Sequence, residues 1–160
     1  MKILAVQSRM GIGDTVIFLP FMKALFKKFN SPISILVKEN SKANQYLHQT
    51  KYIDKILTLE RDNKTNNRHG GFFGIFKLAN DLKKYKFDKI FIFNSSLRFN
   101  LVAKISGIPQ IYQYPLFAKN KQHIIEAPKK FLKENLNLDI NEDPEVQIDN
   151  DSISKAAQKF

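Results

Sequence analysis

The sequence predicts an α/β domain, a Rossmann-like parallel sheet with helices on both faces. Short apolar runs alternate with segments of helical period at least four times along the 160 residues. Such alternation builds a parallel sheet by crossover connections. A hydrophobic content of 43% in a chain of this length supports one packed domain, not a disordered one. The absence of cysteine removes disulfide frameworks and thiolate metal sites from consideration.

Residues 2–7 are short and apolar, the pattern of a buried strand. Residues 8–13 form a loop with two glycines, Gly11 and Gly13. Asp14 and Thr15 open an apolar helical stripe that runs to about Asn30 and stops at Ser31-Pro32. Pro20 lies within that stripe and either kinks the helix or marks a late start. Residues 33–37 read as a second strand, 40–48 as a short capped helix and 55–59 as a third strand. Residues 61–71 are polar, basic and glycine-ended, the composition of an exposed, mobile loop that includes His69. Helical period returns over 72–85, where Phe72, Phe76 and Ala79 fall on one face and read as core, leaving Phe73 for an exposed contact. Residues 89–93 are the clearest strand. Asn94-Ser95-Ser96 then cap a helix over 97–106, which Gly107-Ile108-Pro109 stops. Residues 110–113 suit a fifth strand, 123–135 a further helix, and 152–160 the start of another.

Charge is distributed unevenly. Residues 1–134 carry an excess of 15 positive charges, whereas 135–151 hold six acidic residues and no basic one. A basic body suits an anionic partner such as a phosphorylated glycolipid, an anionic membrane surface or nucleic acid. Compositional bias toward Lys, Asn and Ile explains part of it equally well. The start of the chain has too short an apolar run for a signal peptide, and no run approaches the ~20 residues of a membrane span. The expected compartment is the cytoplasm.

The first strand-loop-helix is the most informative site. Ligands of open α/β sheets gather at the carboxyl ends of the strands, and Gly11 and Gly13 permit turns that other residues resist. Asp14 at the following helix start faces that crevice. It is either a helix cap accepting a backbone N–H or a chemically active carboxylate. A helix N-terminus favours the ionised form, which keeps a base available while weakening it. Gly11-Ile12-Gly13 also begins a dinucleotide fingerprint, but Val16 stands where the third glycine belongs. Asp149-Asn150-Asp151 spells an acidic metal-binding pattern, yet lies in an acidic block that reads as solvated linker. The histidines His48, His69 and His123 lack metal-ligand spacing, and no metal site is expected. Arg61, Lys64 and Arg68 form a basic loop suited to phosphate.

The ordered series of motifs resembles glycosyltransferase family 9, the heptosyltransferases. It consists of Arg9-Met10-Gly11-Ile12-Gly13-Asp14-Thr15-Val16, Leu19-Pro20-Phe21-Met22-Lys23-Ala24-Leu25, Tyr52-Ile53-Asp54-Lys55-Ile56, the stretch 87–98 ending Asn94-Ser95-Ser96-Leu97-Arg98, and the segment 123–138. Gly11, where the family usually has Ser, is a departure. The resemblance implies the N-terminal half of a two-domain GT-B architecture: an acceptor-side domain over 1–138, an acidic junction over 139–160, and a C-terminal donor domain outside this chain. It implies inverting transfer of a sugar from a nucleotide-sugar, ADP-heptose, to a lipopolysaccharide core acceptor. No cofactor is expected, because the nucleotide-sugar is a substrate. Asp14 would be the catalytic base. Arg9, Gly11, Gly13, Arg61, Lys64, Arg68, Ser95, Ser96, Arg98 and His123 would contact the acceptor. The expected partners are an anionic glycolipid, the inner membrane surface and the donor domain, with no nucleic acid, for which no motif is present. The alternative is a Rossmann-like nucleotide- or acceptor-binding domain without catalysis of its own.

Overall fold

The computed structural model describes residues 1–9, 11–61, 67–116 and 124–146. Five parallel strands form one sheet in the order β3-β2-β1-β4-β5. They are β1 (Ile3–Val6), β2 (Ile33–Lys38), β3 (Ile53–Leu59), β4 (Lys89–Ile92) and β5 (Gln110–Gln113). The helices are α1 (Ile12–Ile17), α2 (Leu19–Phe29), α3 (Ala43–Tyr46), α4 (Phe73–Lys83), α5 (Leu97–Ile105) and α6 (Glu126–Leu136). The predicted Rossmann-like class is the observed one.

Parallel strands covered on both faces must be apolar throughout, and β1 is buried at all four positions. Alternation then divides the strands between two cores. Ile3, Ala5, Ile33, Ile35, Phe91 and Phe93 pack toward α2 and α6. Leu4, Val6, Leu36, Ile90 and Ile92 pack toward α4 and α5.

Pro20 marks a late start and not a kink. Helix α1 ends at Ile17, Phe18 forms the joint, and Pro20 sits in the first turn of α2, where its missing N–H is harmless. Helix α2 buries Leu19, Phe21, Met22 and Leu25 and ends on Asn30 in the left-handed conformation (φ 48°).

Two expectations are corrected. Phe72 and Phe76 are not core: both are exposed, and the inner face of α4 is Ile75, Leu78, Ala79 and Leu82. The true stripe runs i, i+3, i+4, i+7, and it is met by Ala79 but missed by both phenylalanines. His69 is not a mobile-loop residue but is 4% exposed, at the foot of the basic loop. The first part of the acidic segment also returns to the domain. Ile140 is buried against the α2 side of the core, and Glu142 pairs with Lys23 (3.0 Å) and Lys27 of α2. Lys64, His123, Asp149-Asn150-Asp151 and the helix expected over 152–160 lie outside the described residues.

Candidate functional site

The strand order reverses between β1 and β4. The chain therefore leaves these neighbours in opposite directions and opens a crevice at their carboxyl ends. One hydrogen-bonded floor spans it. Asn94 Nδ2 donates to Ser8 Oγ at 2.7 Å, joining the ends of β4 and β1. Asn94 Oδ1 accepts from the Ser96 N–H at 2.6 Å. Gln113 Nε2, from the end of β5, donates to the carbonyls of Asn94 and Ser96, both at 2.9 Å, and Asn100 Nδ2 donates to Gln113 Oε1. Ser96 also caps α5, accepting from Arg98 N–H at 3.3 Å. The floor is therefore rigid and polar. Ser95 is half-buried beside it.

Gly11 is the N-cap of α1 at φ 101°, ψ 162°, a region open essentially to glycine alone. Gly13 has no positive φ and lies within α1, with nothing within 4 Å of where a Cβ would stand. The conformational need for glycine thus rests on Gly11, while Gly13 keeps the surface bare. Asp14 falls third in the helix, inside the first turn and not at the cap, and makes no cap bond. It is half-buried. Among the described residues its carboxylate enters no hydrogen bond or ion pair. Thr15, next to it, is buried and its hydroxyl donates to the Gly11 carbonyl at 3.1 Å. The capping explanation for the Asp14 side chain is therefore not what the geometry shows.

Arg9 is exposed on the same loop, its N–H held by Gln7 Oε1 at 2.7 Å. Below it runs a row set by strand register: Gln7, Phe93 and Tyr114 each follow the paired positions Val6, Ile92 and Gln113. Gln7 Nε2 and Tyr114 Oη are buried with no hydrogen-bond partner among the described residues. An unmet buried polar atom costs ~1–3 kcal/mol. Burial pushes the Tyr114 phenol well above its ordinary range, and the Arg9 charge opposes this only in part.

The basic loop is anchored beside this crevice. His69 N–H donates to the Glu60 carbonyl at 2.8 Å, and Glu60 N–H donates to His69 Nδ1 at 3.1 Å. Because Nδ1 accepts, the proton of the neutral ring sits on Nε2, which donates to Asp81 Oδ2 at 3.2 Å. Arg68 adds a bond to Asp81 Oδ1 at 2.8 Å. Burial would raise the Asp81 carboxyl. The hydrogen bonds from His69 and Lys84 and the Arg68 charge outweigh it, and the group is held below its usual range. Arg98 closes the assembly: its guanidinium donates to the carbonyls of His69 and, at 2.7 Å, Gly71. Arg61, half-buried, lies two residues past the end of β3, where the basic loop begins.

The structure thus gathers Arg9, Gly11, Gly13, Asp14, Ser95 and Ser96 at the crevice. It places Arg98 as the strut between the crevice and the loop carrying Arg61 and Arg68. Sequence reasoning missed Gln7, Ser8, Asn94, Gln113 and Tyr114 as parts of the floor. The available signal was position, since each lies within two residues of the carboxyl end of β1, β4 or β5. Among the described residues no group of His, Asp or Glu is arranged to hold a metal ion, and no helix is long and apolar enough to cross a membrane.

Strand order and crevice define a Rossmann-like domain, a class of sheet whose ligands gather at the strands' carboxyl ends. Among solved structures this is the heptosyltransferase-like fold of glycosyltransferase family 9. The chain matches a family 9 glycosyl transferase from Veillonella parvula DSM 2008 at TM-score 0.73 and 18% identity, over 98% of this chain and 48% of that one. It matches E. coli ADP-heptose lps heptosyltransferase II at TM-score 0.67 and 15% identity, over 100% of this chain and 50% of that one. The E. coli heptosyltransferase WaaC with ADP-2-deoxy-2-fluoro heptose gives TM-score 0.59 and 12% identity, over 89% of this chain and 50% of that one. The chain therefore spans about half the length of these structures. No protein-family model matches the sequence, and no curated protein matches it.

Proposed function

We propose that this chain is the acceptor-side half of an inverting glycosyltransferase of the heptosyltransferase kind. The donor is a nucleotide-sugar, with ADP-heptose the leading candidate, and the acceptor is an anionic glycolipid of the lipopolysaccharide core. The observation that carries the reading is Asp14, a carboxylate without a hydrogen bond or ion pair among the described residues, in the first turn of α1, at the crevice where the strand order reverses.

In this reading Asp14 takes the proton from an acceptor hydroxyl as its oxygen bonds to the anomeric carbon. The bond from that carbon to the nucleoside diphosphate breaks, and the diphosphate leaves with the electron pair from the opposite face. General-base assistance of this kind contributes ~10²- to 10⁴-fold. Gly11 and bare Gly13 let the acceptor approach the backbone. Arg9, Ser95 and Ser96 supply polar contacts, and Gln7 Nε2 and Tyr114 Oη stand ready beneath them. The loop with Arg61, Lys64 and Arg68 provides cations for acceptor phosphate, with Arg98 holding its foot, and His123 is a further candidate contact. A donor-binding half completes the site. A membrane-borne acceptor brings the protein to the cytoplasmic face of the inner membrane.

The test is Asp14→Asn in the intact transferase that contains this domain, assayed for sugar transfer from ADP-heptose. Turnover is expected to fall by ~10²-fold or more with acceptor affinity retained. Near-normal turnover removes Asp14 as the base. Tight binding of ADP by the isolated chain, without acceptor binding, would favour a nucleotide-binding domain instead.

A further inference from the structure

The outer layer formed by α4 and α5 is unlike the rest of the surface. Of the nine large hydrophobic residues exposed among the described residues, six lie on it. Phe72, Phe73 and Phe76 are 68%, 76% and 47% exposed, and Leu97, Leu101 and Ile105 are 41%, 37% and 44% exposed. Phe72 meets Phe73 and Phe76 edge to face, at 6.0 and 5.5 Å between ring centres, so the three form one patch. The three aliphatic residues recur every fourth position of α5, a single outward ridge.

The two groups are neighbours. Both helices follow parallel strands and start at the same end of the sheet. Arg98 of α5 reaches the carbonyls of His69 and Gly71 at the start of α4. Further along, Ser106 Oγ, just past α5, donates to the Ala79 carbonyl of α4 at 3.2 Å. Exposed apolar side chains gathered on one layer in this way mark an interaction site.

Its charge selects the occupant. Helices α4 and α5 expose Lys77, Lys83 and Lys104 against one carboxylate, Asp81. Asp81 is itself taken up by Arg68, His69 and Lys84. The face is thus apolar and cationic with its only carboxylate committed. A second copy of this chain, with net charge +11, would set cations against cations. An anionic lipid surface satisfies both properties, since phenylalanines insert at the headgroup boundary while lysines meet lipid phosphate.

We infer that the α4–α5 layer is a membrane-docking face for anionic lipid, with Phe72, Phe73 and Phe76 as its inserting edge. This deepens the membrane part of the proposed function but needs neither donor nor glycolipid, so it is tested without them. The 160-residue chain is sedimented with vesicles of phosphatidylcholine alone and of phosphatidylcholine mixed with phosphatidylglycerol. Binding to the mixed vesicles only, weakened by salt, is expected. Replacing the three exposed phenylalanines together (Phe72→Ser, Phe73→Ser, Phe76→Ser) should weaken that binding by about tenfold or more, the order for withdrawing one buried aromatic side chain, with circular dichroism unchanged. Asp14→Asn should bind as the unaltered chain does, which separates this result from the fate of the catalytic reading. The inference fails if the unaltered chain ignores anionic vesicles, or if the triple variant binds them equally. It fails also if sedimentation shows a dimer that the triple variant dissolves, for the face would then be a protein interface.

Discussion

Two glycines two positions apart in the first loop have opposite requirements. Gly11 occupies φ 101°, ψ 162°, so Gly11→Ala should destabilise by ~1–3 kcal/mol through backbone strain. Gly13 is helical with open space around it, so Gly13→Ala should be neutral or stabilise by ~0.5–1 kcal/mol. Equilibrium denaturation in urea of both variants checks the contrast, and equal effects would contradict the geometry. The Asp81 cluster gives a pH prediction. Its folded carboxyl lies below the unfolded value of ~3.9. The stabilisation is therefore complete above ~3.9 and is lost as pH falls through the lower folded value. Thermal melts should show a stability loss in that acid window that Asp81→Asn reduces. An identical acid profile in the variant would show that Asp81 is not a source of the loss.

The acid segment shows, at the level of an element, which of two contributions wins. Glu142 holds 139–146 to α2 through Lys27 and Lys23, and their hydrogen bonds lower its carboxyl below the usual range. Both partners are solvent-facing, and such pairs are worth little in water. Ile140, two residues earlier, is 6% exposed, and truncating a buried Ile costs ~2–5 kcal/mol. Ile140→Ala should therefore release the segment to limited proteolysis far more readily than Glu142→Gln. The reverse order would mean that the ion pairs hold the segment in place. Helix α4 has its own constraint at Gly74, where a Cβ would stand 2.2 Å from the His69 carbonyl carbon. That contact seats the helix start against the foot of the basic loop, and any larger residue must push the two apart.

For the whole molecule, the sheet is fixed from its centre. Phe91 on β4 is fully buried, stacks on Tyr112 of β5 at 4.6 Å, and meets Phe29 of α2 and Phe131 of α6. Phe91→Ala removes contacts to three elements and should cost ~3–5 kcal/mol, a large part of the ~5–15 kcal/mol that domains possess. Calorimetry should show a melting point lower by many degrees. A shift of a degree or two would mean that the aromatic cluster repacks around the gap.

Much of this was legible in the sequence. Buried parallel strands must be apolar and short, so β1, β2 and β4 announce themselves, and Gly11 marks the first crossover because its backbone conformation tolerates few other residues. The position of the crevice followed from this, since ligand faces of such sheets lie at strand carboxyl ends. The sequence could not assign Phe72 and Phe76, because in a helix with five aromatic and aliphatic positions in its first seven residues several stripes compete, and only the sheet beneath chooses one. Nor could it show that His69 is buried, or that Asn94, Gln113 and Ser8 share one floor. Those contacts join residues up to 86 positions apart, and long-range pairing is decided by strand register. The local alphabet of strands, turns and helix starts was determined by sequence, because it depends on near neighbours. The choice of outward face, the rigid floor and the strut of Arg98 were decided by tertiary structure, because each depends on which distant surface arrives to cover it.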